Sequence, residues 1–166
     1  MDRDQLRALQ APLKQRYRDE PEAALVCLQA EGRLGEGVSC SVEAGRALIQ
    51  AGLHPASGGT GSLACSGDML LQALVACAGV TLTAVATSLG ITLRGGHLTA
   101  EGDLDFRGTL AVARDVPVGF SQIRLFITVE SDASLPERQK LLELTERYCV
   151  VYQILRKGAE LAVAYR

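Results

Sequence analysis

MLLQALVACAGVTLTAVATSL, from Met69 to Leu89, carries no charged side chain and is apolar or small at nearly every position. It predicts a long helix. Ser66 is suited to cap its start, Asp68 in the first turn favours the positive end of the helix dipole, and Gly90 stops it. A helix apolar on almost every side has to be buried. The stretch is also long enough to cross a bilayer. Gln72, Thr81, Thr83, Thr87 and Ser88, the many alanines, and flanks without a Lys or Arg cluster favour a buried central helix instead. Gln72, Ala76, Gly79 and Thr83 recur along one side, a small-residue stripe that admits a close helix–helix contact. Cys77 lies on a different side, with Leu70, Ala73, Leu74, Thr81 and Ala84.

Upstream, Gly52 to Gly67 reads as a Gly- and Ser-rich loop. Before it come strand candidates at Ala23–Ala30, Val38–Val42 and Ala47–Gln50, with turns at Gly32–Gly37 and at Glu43–Arg46. Gln5 to Tyr17 is a helix with Leu6, Leu9, Leu13 and Tyr17 on one side, which Pro12 is expected to kink or split. Downstream, Thr92 to Val112 reads as two strands or one bent strand. Ile123, Leu125, Ile127 and Val129 alternate as in a half-buried strand. Ser134 and Glu137 form a capping box that opens a helix. Its buried stripe is expected at Leu141, Leu144, Tyr148 and Val151, its end at Gly158, and a last strand at Leu161–Tyr165. The order predicts an α+β fold in one domain, residues 1–166, with residues 1–22 as an N-terminal helical extension. An antiparallel sheet would cover one side of the central helix and a second subunit the other.

Composition narrows the function. With 166 residues and 48% hydrophobic side chains, the chain can bury a core and is not a disordered segment. A net charge of -2 and the lack of a basic aromatic patch give no general attraction to nucleic acid. Met1-Asp-Arg-Asp4 does not have the order of a signal peptide. Five irregularly spaced cysteines do not make a secreted disulfide framework. The expected compartment is a reducing cytoplasm. His54 and His97 are isolated and no Cys-x-x-Cys occurs, so neither a metal site nor a cofactor is expected. The Gly58-Gly-Thr-Gly61-Ser loop lacks the Gly-Lys-Ser/Thr ending of a phosphate-binding loop. It is read as a flexible connection.

Four segments together resemble the OsmC/Ohr family of osmotically inducible and organic hydroperoxide resistance proteins. They are Asp68-Met-Leu-Leu-Gln-Ala-Leu-Val-Ala-Cys77, Glu146-Arg-Tyr-Cys149-Val-Val, Gly32-Arg-Leu-Gly35 and Gly102-Asp-Leu-Asp-Phe-Arg-Gly108. The resemblance runs from about Ala23 onward, in the family's order. It implies an intertwined homodimer and a peroxidase acting on organic hydroperoxides through Cys77 and Cys149, recharged by a dithiol reductant of lipoyl or thioredoxin type. The chemistry fits the residues. A free thiol is mostly protonated at neutral pH, and burial raises its pKa further. The nucleophile therefore needs a cation nearby, and Arg33 matches the family's arginine. After attack, Cys77 becomes a sulfenic acid that Cys149, at the matching position, condenses with.

Two positions depart from the pattern. Gly67 stands where hydroperoxide-reducing members carry a glutamate, and Val150 stands where the family often has proline. Asp68 either substitutes for that glutamate or only caps the helix; Glu31 and Glu36 are further carboxylates that could orient Arg33. Cys27 and Cys40 read as core or cross-strand residues, and Cys65 sits close to a helix start, where a thiol becomes more reactive. A non-catalytic protein on the same scaffold, holding a small apolar ligand in the dimer cleft, is the alternative.

Overall fold

The computed structural model describes residues 2–20, 32–34, 39–44 and 47–165. In chain order its elements are helix α1 (Arg3–Asp19), strands β1 (Gly32–Leu34), β2 (Ser39–Ala44), β3 (Ala47–Gly52) and β4 (Ala64–Cys65), helix α2 (Ser66–Leu89), strand β5 (Gly95–Leu104), the short helix α3 (Phe106–Thr109), strand β6 (Phe120–Glu130), and helices α4 (Leu135–Tyr148) and α5 (Val150–Lys157). This is an α+β set of elements. The chain divides into two compact units, one of Met1–Gln15, Ala73–Thr99 and Phe126–Arg166, the other of Arg16–Gln72 and Ala100–Leu125.

The first unit holds the helical core. Leu74, Ala78, Leu82 and Ala86 are the buried positions of α2, a stripe of every fourth residue. Leu82 and Ala86 pack with Leu141 of α4, and Val85, Ile91, Leu93, Leu98, Ile127 and Val129 close around them. The rest of α2 is less covered than its composition predicts, and Val80 is 74% exposed. Gly90 ends the helix at φ +74, a left-handed conformation that costs glycine nothing. The capping box at Ser134 and Glu137 forms as expected.

Four expectations are corrected in this unit. Pro12 does not split α1, which runs unbroken from Arg3 to Asp19. The carbonyl of Ala8, four residues before it, belongs to an exposed residue and can be solvated. The helix expected from Ser134 to Gly158 is two helices, broken at Cys149, whose ψ of 108 is extended. Tyr148 is exposed, and the buried stripe of α4 is Leu141, Thr145 and then Cys149. Leu161–Tyr165 is not a strand; it lies outside any sheet, with Leu161, Val163 and Tyr165 at 90%, 100% and 103% exposure. An alternating pattern makes a strand only where another strand accepts its hydrogen bonds.

The second unit holds a sheet of order β1-β2-β3-β4. β1 pairs antiparallel with β2, Arg33 opposite Ser41, and β2 antiparallel with β3. β4 runs parallel to β3, with Gly52 opposite Cys65. Gly32–Leu34 is thus strand rather than turn. The strand expected at Ala23–Ala30 lies outside the described residues, as do Cys27, Glu31 and Glu36. The loop before α2 contains a single 3-10 turn at Pro55–Ser57. His54 caps that turn, its Nδ1 accepting the Ala56 N–H at 3.0 Å, and its ring stacks on Phe106 at 4.9 Å. Gly102 of β5 meets Phe120 of β6 closely enough that an added Cβ would lie 2.5 Å from the ring.

β5 and β6 form a separate two-stranded sheet. The Arg94 N–H donates to the Glu130 carbonyl at 2.8 Å, and the Ser121 hydroxyl donates to the Asp103 carbonyl at 3.1 Å. Low numbers on one strand therefore face high numbers on the other, and the strands are antiparallel.

Candidate active site

Cys77 stands midway along α2, partly buried, on the side that faces the junction of α4 and α5. Cys149 is that junction and is fully buried. It closes α4 by donating its N–H to the Thr145 carbonyl at 2.9 Å, then turns extended and opens α5. The first amides of a helix have no partner within it. Because the chain restarts at Val150, the Val150 and Val151 amides are such groups; both point to the Cys77 sulfur and lower its pKa, and the Val151 amide is shared with the Cys149 sulfur.

The two thiols are tuned in opposite directions. Burial pushes the Cys77 thiol up, but the Val151 amide, the Cys149 thiol, the Val150 amide and the Thr81 hydroxyl together hold it below its ordinary value. Thr81 is four residues on from Cys77, one turn along the same face. Burial pushes the Cys149 thiol up; the Tyr152 amide opposes this, and donation to the Cys77 sulfur reinforces it. The arrangement makes Cys77 the more acidic of the two thiols, with Cys149 as the proton-holding partner beside it. Neither cysteine is in a disulfide. An electron-rich sulfur on one helix, with a second sulfur already hydrogen-bonded to it, can attack an electrophile and then be attacked in turn.

The other expected site residues fall elsewhere. Arg33 is located only by its backbone in β1, and its side-chain position lies outside what the structure describes. Asp68 occupies the first turn of α2, exposed, about 13 Å along the helix axis from Cys77. Gly67 is covered by Phe120. A Cβ there would lie 3.3 Å from the ring and 3.7 Å from the Cys65 sulfur. The ring thus occupies room that a longer side chain at residue 67 would need. Cys65 ends β4 as a free, partly buried thiol. His97 pairs with the Thr99 hydroxyl at 3.0 Å. Among the described residues, no three His, Cys, Asp or Glu side chains gather as a metal site.

The amides of Val150 and Val151 are the functional groups that residue types did not reveal, since they arise from a helix break with no glycine or proline to announce it. Thr81 could be found from its spacing to Cys77.

Residues 59–164 match the family model of OsmC-like proteins. No curated protein matches the chain. Among solved structures, an OsmC-like protein from Mycoplasma pneumoniae is similar with TM-score 0.68 and 19% identity, covering 80% of this chain and 89% of its own. A Legionella pneumophila organic hydroperoxide resistance protein gives TM-score 0.60 and 18% identity, covering 81% and 93%. The organic hydroperoxide resistance protein OhrB of Bacillus subtilis gives TM-score 0.54 and 19% identity, covering 81% and 94%.

Proposed function

The chain belongs to the family of OsmC-like proteins, and from that premise we propose that it is a thiol peroxidase for organic hydroperoxides, acting in oxidative-stress defence. The observation that carries this reading is the meeting of two free thiols, Cys77 on α2 and the buried Cys149 at the junction of α4 and α5, with Cys77 the more acidic of the pair. The relatives named for organic hydroperoxide resistance point the same way.

In this mechanism the Cys77 thiolate attacks one oxygen of the hydroperoxide and the O–O bond breaks. Sulfur gives up two electrons, and the departing alkoxide takes a proton to become the alcohol. Cys77 is then a sulfenic acid. Cys149 attacks that sulfur, forming the disulfide and releasing water. A dithiol reductant of lipoyl or thioredoxin type restores both thiols by exchange and is itself oxidised to a disulfide. An alkyl hydroperoxide is favoured over hydrogen peroxide because an apolar tail gains by leaving water. We assign Arg33 as a further cation for the thiolate, with Asp68, Glu31 or Glu36 orienting its guanidinium. The hydrogen-bond donors already around Cys77 reduce how much that cation must supply.

We also propose that two copies form an intertwined homodimer in the cytoplasm, with α2 packed on a curved antiparallel sheet. Support comes from the apolar surface one chain leaves in water, at Val80 of α2 and along Leu161, Val163 and Tyr165. Light scattering at micromolar concentration tests this, and a stable monomer refutes it.

The deciding experiment is stopped-flow measurement of thiol loss with an organic hydroperoxide. Cys77→Ser is expected to abolish it, and Cys149→Ser to leave one turnover with sulfenic acid accumulating. Consumption by Cys77→Ser at the parental rate overturns the mechanism. The covering of Gly67 by Phe120 favours the second reading, a non-catalytic protein holding a small apolar ligand. On that reading, parent and Cys77→Ser bind an alkyl probe alike and neither consumes hydroperoxide.

A further inference from the structure

A second site is suggested where α1 meets the end of α2. Arg3, Leu6, Arg7 and Gln10 recur at helical spacing on α1 and, with Ser88 in the last turn of α2, line a cavity of about 310 Å³. That is the lower end of the range for small-ligand pockets. The wall carries two guanidiniums, a carboxamide and a hydroxyl, and no carboxylate. We propose that this cavity binds a small oxyanion, the phosphate or carboxylate group of a soluble ligand.

Two structural alternatives for the arginines fit less well. They could neutralise acids of their own helix. Among the described residues, however, neither guanidinium has an ion pair or hydrogen bond, while Arg94, Arg107 and Arg124 all pair with carboxylates. Asp2 and Asp4 flank Arg3 in sequence. Asp2 is engaged in capping α1, its carboxylate accepting the Gln5 N–H at 2.8 Å while the Gln5 side-chain oxygen accepts the Asp2 N–H at 3.0 Å, and among the described residues Asp4 makes no ion pair with either arginine. They could instead cap the carbonyl end of α2. Those carbonyls already have partners: Gly90 donates to Thr87 at 3.2 Å and Ile91 to Ala86 at 2.9 Å. Two like charges one turn apart repel on a helix. An oxyanion between them removes the repulsion and accepts from both forks, while Gln10 and Ser88 supply further donors.

The cavity is separate from the cysteine pair. Ser88 follows Cys77 by eleven residues on the same helix, about 16 Å along its axis. Four of the five lining residues lie on α1, which precedes the stretch matched by the family, residues 59–164; Ser88 lies within that stretch.

The test is titration of the reduced full-length protein with inorganic phosphate and, separately, with citrate, at constant ionic strength. Binding is read by calorimetry and by amide shifts in α1. Saturable binding of either ion is expected, weakened about tenfold or more by Arg3→Gln with Arg7→Gln. Arg7→Lys, which keeps the charge but loses the fork, should fall between, and Arg114→Gln should match the parent. Preference for phosphate or for citrate identifies the ligand group. The Cys77→Ser protein should bind equally well, so this result stands apart from the peroxidase assay. A response that never saturates, or one that the double substitution leaves unchanged in a protein of parental circular dichroism, overturns the proposal.

Discussion

Replacing Thr81 by Val removes one of the donors to the Cys77 sulfur and keeps the shape of the side chain. The others, the Val150 and Val151 amides and the Cys149 thiol, stay in place. A hydrogen bond to a charged group contributes roughly 1.5–3 kcal/mol, and about 1.4 kcal/mol is a factor of ten in a protonation equilibrium. Thr81 and Cys77 are both partly exposed, so water recovers part of what is lost. The expected result is roughly three- to tenfold less thiolate at a fixed pH below the titration midpoint. Iodoacetamide alkylation of Cys77, followed across pH and located by peptide mass, measures it directly. Thr83→Val is the matched control, because the Thr83 hydroxyl donates to the Gly79 carbonyl of its own helix at 2.9 Å. If the two variants and the parent share one alkylation profile, the hydroxyl does not hold the thiolate and the account of Cys77 activation fails.

Gly102→Ala should destabilise the protein by about 1–3 kcal/mol in denaturant unfolding, because the new Cβ would lie 2.5 Å from the Phe120 ring. In a Phe120→Leu background most of that cost should vanish; strictly additive changes would show that the ring is not the obstacle. Leu141→Ala empties a fully buried position against Leu82 and Ala86, and should cost about 2–5 kcal/mol in urea. The Asp105 carboxyl should titrate at about 2, below its ordinary 3.8, because the Arg107 side chain and then the Arg107 amide donate to it. Its folded value is depressed, so its contribution to stability is present above pH 3.8 and is lost as pH falls through about 2; a carboxyl carbon midpoint near 3.8 in NMR refutes the pairing.

Much of the fold was legible where local chemistry decides it. Ile123, Leu125, Ile127 and Val129 alternate and are the half-buried face of β6. Ser134 and Glu137 cap α4, and Gly90 ends α2. Leu161–Tyr165 shows the limit of such reasoning, since it alternates like β6 yet pairs with no strand among the described residues. α2 shows another: its composition asks for burial all round, and one chain buries a single stripe. Within the site, Cys77 and Thr81 share a helix face and could be read together. The meeting of Cys77 with Cys149 could not, because the contact spans 72 positions of sequence and rests on tertiary packing; only resemblance suggested it. The break at Cys149 was hidden for a simpler reason. Leu141, Thr145 and Cys149 keep perfect helical spacing up to the interruption.

That interruption makes the backbone a gauge of the sulfur's electronic state. The Val150 and Val151 amide protons lean on sulfur, not on a carbonyl: Val150 on Cys77, and Val151 shared between Cys77 and Cys149. A thiolate holds them strongly; a neutral thiol or an oxidised sulfur holds them weakly. Chemistry at one atom therefore reaches the opening turn of α5 without any side chain having to move, and the exchange rates of two amide protons would follow the charge on Cys77.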